Sequence, residues 1–144
     1  MKKAYYAVFV ADDNDNGKVS VVFPDIPGCF TWGENMEHAF SMAIDALENH
    51  LEALADDGDS IPEPSERNKA WAKFEEDCTA MNEPVPTNAI MQMIPAPDLD
   101  KSPVRVNVSI KRYLLERIDR KAAASGMTRS GFLIEAAKIY EARR

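Results

Sequence analysis

Residues 104–110 read Val-Arg-Val-Asn-Val-Ser-Ile, an alternation without a fault. The valines and Ile110 fall on one side and Arg105, Asn107 and Ser109 on the other, which describes a strand with one dry and one wet face. Helical spacing follows. Residues 111–125 put Leu114, Leu115, Ile118 and Ala122 on one face and stop at Gly126. Thr128 then caps a second helix to Arg143, with Phe132, Leu133, Ala136, Ile139 and Tyr140 turned inward. One strand and two helices in residues 104–144 bury too little to stand alone without disulfides, metal or a second copy. Neither cysteine lies there, and a lone strand leaves its ladder groups unpaired. The pattern therefore predicts a two-fold dimer in which two strands pair antiparallel and four helices cover the valine face. The outer face of such a ribbon presents Arg105, Asn107 and Ser109 from each chain and fits the major groove of DNA.

Charge is divided along the chain in the same way. The 144 residues carry a net −7, yet residues 1–100 hold 6 Lys/Arg against 20 Asp/Glu, while residues 101–144 hold 11 against 4. A split this sharp points to two units with different partners, a basic one suited to a polyanion and an acidic one suited to a basic protein. No run approaches the length of a membrane span, and the start, MKKAYYAVFV, alternates like a strand and leads into acids, unlike an export signal. Cys29 and Cys78 have no metal-ligand spacing and read as reduced thiols of a cytoplasmic protein.

The acidic part opens with a strand at Ala4–Val10, a hairpin loop of Asp12-Asp13-Asn14-Asp15-Asn16-Gly17 and a returning strand at Val19–Phe23. Pro24, Pro27, Gly28 and Gly33 frame a turn and a short third strand at Cys29–Trp32. Asn35 caps an amphipathic helix with Met36, Phe40, Ala43, Leu47, Leu51 and Leu54 on its apolar face, ended by Gly58. Residues 60–88 are irregular and polar, with room for a short helix over Ser65–Thr79 carrying Trp71 and Phe74. Ala89–Ile94 reads as a fourth, largely buried strand. Pro95, Pro97 and Pro103 then make the segment semi-extended, with residues 96–103 a linker between a first domain, 1–95, and a second, 104–144.

The string VRVNVSI, then KRYLLERIDRKAAASG, then MTRSGFLIEAAKIYEA resembles the ribbon-helix-helix DNA-binding domain. That resemblance implies base reading by Arg105, Asn107 and Ser109. It also implies phosphate contact at the turn holding Thr128, Arg129 and Ser130, where a helix N-terminus favours an anion. Gly131 departs from the Glu common nearby in related sequences, which would complete a capping box. The string VSVVFPDIPGCFTWG, with the helix after it and Ile61-Pro62-Glu63-Pro64-Ser65, resembles the HicB antitoxin family. The implied fold class is α+β: a truncated ribonuclease-H-like β-β-β-α-β domain followed by a ribbon-helix-helix dimerisation domain. The implied role is that of a type II antitoxin. It neutralises a HicA-like toxin that cleaves messenger RNA, and it represses its own operon at operator DNA as a homodimer through residues 104–144 or a higher oligomer. The alternative is a stand-alone ribbon-helix-helix regulator whose front domain senses a ligand or oligomerises.

No enzyme, cofactor or metal is expected. The Asp12–Asp15 cluster sits on a loop, without the strand-borne carboxylates of a two-metal nuclease or the spacing of a calcium loop. Asp25 reads as a turn cap of Asx type. His38 and His50 have no partner of metal-ligating type in sequence, and Cys29 has no basic neighbour to activate it. The residues that touch the toxin are not readable from sequence.

Overall fold

The computed structural model describes residues 3–100 and 102–143. They form a mixed α+β structure that divides into two compact units, Met1–Lys101 and Ser102–Arg144.

The first unit carries β1 (Ala4–Ala11), β2 (Val19–Val22), β3 (Phe30–Gly33), α1 (Met36–Asp57), α2 (Arg67–Ala80) and β4 (Ile90–Pro95). Its sheet has the order β3-β2-β1-β4 with every neighbour antiparallel. The β1–β2 hairpin closes on Asn16 and Gly17, both at positive φ, and Asp12 Oδ1 accepts the Asn14 N–H. Alternate residues of β1 take opposite faces. Tyr5, Ala7 and Phe9 join Val19, Val21, Phe23, Ile26, Cys29 and Ile94 against α1, and Val8 packs with Phe74 and Cys78 of α2 on the far face.

Helix α1 begins as expected, with Asn35 Oδ1 accepting the His38 N–H, and ends at Gly58 in the left-handed region. Its inward face holds Ala43, Leu47, Leu51 and Leu54 as expected and differs at its N-terminal end. Ala39, Ala43, Leu47 and Leu51 are buried, while Met36 and Phe40 are exposed. Here β3 comes so close that a Cβ on Gly33 would lie 2.2 Å from the Ala39 backbone nitrogen, so position 33 must be glycine. Ala39 is buried beside it, and Phe40 lies on the flank, stacking on Phe9 at 6.3 Å.

Two further expectations change. A full helix, α2, stands between α1 and β4, so the order is β-β-β-α-α-β rather than β-β-β-α-β. Strand β4 lies at the sheet edge and buries only Ile94 fully, so it is not the largely buried strand its apolar run suggested. Part of the proline-rich segment also packs: the Ala96 N–H donates to the Lys3 carbonyl, and Leu99 rests on the core.

The second unit holds α3 (Arg112–Ala124) and α4 (Arg129–Ala142). Gly126 stops α3 at positive φ, and the Met127 N–H returns to the Ala122 carbonyl. Thr128 Oγ1 caps α4 by accepting the Gly131 N–H at 3.1 Å. Residues 104–110 form no strand within the single chain. Val104, Val106 and Val108 are 81%, 73% and 71% exposed. Ala122 is the one buried residue of α3 among those described, and α4 has none. Phe132 is half-buried, and Leu133, Ala136, Ile139 and Tyr140 are exposed rather than inward. Two helices in one layer have no second layer to cover their apolar sides.

Candidate nucleic-acid interface and partner surface

In the second unit, Arg105, Asn107 and Ser109 are exposed on the irregular segment before α3, and Thr128, Arg129 and Ser130 stand at the start of α4. These are separate elements of one chain. Thr128 spends its oxygen on the cap. Arg129 forms a two-point ion pair with Asp119 of α3, Nε to Oδ1 and a terminal nitrogen to Oδ2, both at 2.8 Å. The Arg129 hydrogen bond draws the Asp119 pKa below its ordinary value, and the carboxylate raises that of Arg129. The guanidinium thus ties α3 to α4 with part of its charge already answered. Sequence reading missed this link, although the two residues are only ten positions apart.

In the first unit, sequence reading also missed the link made by Asp25. Its carboxylate is buried and accepts from the Ser65 N–H and the Ser65 hydroxyl, both at 2.7 Å, and from Lys73 Nζ at 2.5 Å. Burial acts to raise its pKa; the bonds from Lys73 and Ser65 more than offset that, so the carboxyl titrates below its ordinary value. Asp25 is therefore a tie between the Pro24–Gly28 turn, the 60s segment and α2, not a local turn cap. Cys29 Sγ lies 3.7 Å from the Ala46 carbonyl, and burial pushes its thiol up to about 11, which keeps it protonated and unreactive. Cys78 is free and buried as well. Asp15 pairs with Lys18, and His38 Nδ1 accepts the Glu34 N–H. No group of three or more metal-ligating side chains occurs among the described residues.

Two large side chains of the first unit are left in solvent on edge strand β3. Phe30 is 72% and Trp32 54% exposed, with Lys18 Nζ 5.4 Å from the centre of the Trp32 ring. The signal for this pair was present in sequence as two aromatics at strand spacing, but spacing does not say whether a face is covered.

The chain thus joins an acidic α+β unit with exposed aromatics to a basic two-helix unit with uncovered valines. Comparison with known proteins gives its family. Residues 6–137 match the model of the HicB-like antitoxin of bacterial toxin-antitoxin systems, and the chain belongs to that family. It is 36% identical over 61 residues to Antitoxin HicB 2 of Photorhabdus laumondii, an alignment spanning 42% of this chain and 44% of the relative. Among solved structures, the antitoxin HicB of Burkholderia pseudomallei matches over 98% of both chains with a TM-score of 0.53 and 30% identity. A chain of a toxin-antitoxin complex from Streptococcus pneumoniae shares the fold, at a TM-score of 0.57 and 21% identity, over 97% of this chain and 99% of that one. No helix among the described residues is long and apolar enough to cross a membrane.

Proposed function

We propose that this chain is the antitoxin of a type II pair. The first domain, of truncated ribonuclease-H-like type, binds and neutralises a small, basic, HicA-like ribonuclease toxin. The second, residues 104–144, is a ribbon-helix-helix dimer that binds operator DNA and represses the operon. Family membership supports the antitoxin role. The observation that carries the division of labour is the state of residues 104–110. Three valines stand in solvent on an unpaired segment ahead of two helices with uncovered apolar sides. Pairing two such segments satisfies the backbone and buries the valines in one step, and leaves Arg105, Asn107 and Ser109 outward as a ribbon. Thr128 and Ser130 set the first amides of α4 toward a phosphate. The excess of acids in residues 1–100 suits a basic partner, and the Streptococcus chain of the same fold was solved as part of a toxin-antitoxin complex.

The test is co-expression of the chain with the product of a neighbouring gene, where that product is small and basic, followed by binding to the DNA upstream of the chain's own gene. Growth rescue together with a specific, salt-sensitive DNA complex is expected. A chain that neither rescues growth nor prefers that DNA over a scrambled duplex refutes the reading.

A further inference from the structure

The sheet of the first unit has two faces. Helix α1 covers one, and on it lie Gly33, packed to Ala39, and the core residues of β1 and β2. Helix α2 lies on the other, where Phe74 and Cys78 meet Val8, with Val10, Val22 and Met91 around them. Phe30 and Trp32 belong to this second face, opposite Val22 and Ser20 of β2. The α2 cluster is centred on Val8 of β1 and takes in Val22 but neither Phe30 nor Trp32. The β3 flank therefore stays open, which is costly for two aromatic rings in water.

Charge gathers at the Trp32 end of this pair. Gly33 pairs with Val19, so the end of β3 lies beside the β1–β2 loop. Asp12, Asp13 and Asp15 on that loop, and Glu34 and Glu37 just past β3, are all exposed; Lys18 lies against the Trp32 ring and bonds Asp15 at 2.9 Å. Two aromatic anchors with exposed acids along one end are the makings of a protein-binding hot spot. A second copy of this unit would bring the same negative charge and be repelled; a basic protein would be drawn in.

We infer that the β3 flank, Phe30 and Trp32 with Asp12, Asp13 and Glu34 at the Trp32 end, is the seat of the small basic partner protein. The inference rests on the antitoxin reading above and adds the surface that carries it out. Phe30 and Trp32 enter an apolar depression on the partner, and the partner's lysines and arginines meet the acids beside them.

The experiment uses the full chain and a tagged small basic toxin of HicA type, taken from a gene next to this one, with binding measured by calorimetry and association rates by surface capture. Phe30→Ser and Trp32→Ala are each expected to weaken binding by about 30-fold or more, the loss typical of a hot-spot side chain. Their melting curves should match wild type because both residues are exposed. Asp12→Asn with Asp13→Asn is expected to slow association at low salt while changing dissociation little. Met93→Ser, an exposed apolar position on the opposite edge strand, is the control and should bind as wild type does. If wild type binds and both aromatic variants bind equally well, the surface is wrongly placed. If the aromatic variants instead change the size of the chain's own assembly, the flank joins two copies and the inference fails. A wild-type chain that does not bind the toxin at all overturns the antitoxin reading itself.

Discussion

Asp25 and Lys73 lie 48 positions apart and meet at 2.5 Å, with the carboxylate buried and the ammonium at the surface. Together with Ser65 they fasten α2 and the segment before it to the turn that feeds β3. The three donors satisfy the two carboxylate oxygens in a place where an unpaired charge would be costly.

Removing the carboxylate should therefore cost more than removing the ammonium. Asp25→Ala leaves the Ser65 N–H and hydroxyl without their acceptor and is expected to destabilise the first unit by about 1–3 kcal/mol. Lys73→Ala takes the cation from a buried carboxylate but leaves both Ser65 bonds in place, and water can enter where the 45% exposed Lys73 side chain stood, so it should cost less than Asp25→Ala. Urea unfolding of the two variants tests the order. Equal costs would place the stability in the ion pair rather than in the Ser65 bonds.

Acid should act through the same group. The Asp25 carboxyl titrates below the ordinary 3.8, so the folded state favours its charged form. The stabilisation is complete above the unfolded value and is lost as pH falls through the folded one. Wild type is thus expected to lose melting temperature below about pH 4 more steeply than Asp25→Asn, which has no proton to take up there. Parallel acid limbs for the two proteins would remove Asp25 from the account.

Local pattern and long-range packing contributed differently to what could be read in advance. The alternation at 104–110 and the cap at Asn35 are local, and the chain carries them in a few adjacent residues. The face of α1 is not local. Counting large apolar residues selects Phe40, whereas the folded helix buries Ala39 beside Gly33 and leaves Phe40 exposed. The run Ala89–Ile94 shows apolar character but not its place at the sheet edge, because apolarity does not tell an edge from a centre. Asp25 and Ser65 are joined only by the fold, and nothing within a few positions of either announces the other. In the candidate DNA-binding set, Arg105, Asn107 and Ser109 followed from period-two alternation. The Arg129–Asp119 pair depends on how α3 turns back on α4.

Buried cysteine chemistry gives a sharper test of the core. With its thiol pushed up to about 11 and packed beneath α1, Cys29 should resist a disulfide reagent at pH 8 in the native chain and react at once in denaturant. Cys78 is also buried with its pKa raised, so both thiols should be slow. Rapid native labelling of Cys29 would mean that the turn at residues 24–28 opens readily.

The exposed valines bear on assembly. If residues 104–110 pair between two copies, Val106→Asp would place a charge in the buried layer of the dimer, at a cost of several kcal/mol. The full-length variant should sediment as a monomer at micromolar concentration, while wild type sediments as a dimer or larger. Wild type that stays monomeric and folded throughout 104–144 would remove the ribbon, and with it the DNA-binding proposal.

The last prediction separates reading from clamping on DNA. Arg105 has an exposed guanidinium whose fork suits guanine, and the amide of Asn107 suits adenine. Arg105→Ala should cost roughly 1–3 kcal/mol for each base that the side chain reads, and it should narrow the gap between operator and scrambled duplex. Arg129 differs because it is held by Asp119. A free arginine on a phosphate would make the salt dependence shallower by about one counterion when removed. With part of its charge answered inside the protein, Arg129→Ala should shift the slope by less than that, and should loosen α4 against α3 as well. Asp119→Asn completes the comparison: it frees Arg129 for phosphate, so binding should strengthen about equally on every sequence and the slope should steepen. Titrating the three variants on both duplexes at several salt concentrations measures both quantities. Equal losses on the two duplexes for Arg105→Ala would make the ribbon a backbone clamp. An Asp119→Asn variant with unchanged salt dependence would place Arg129 away from the DNA.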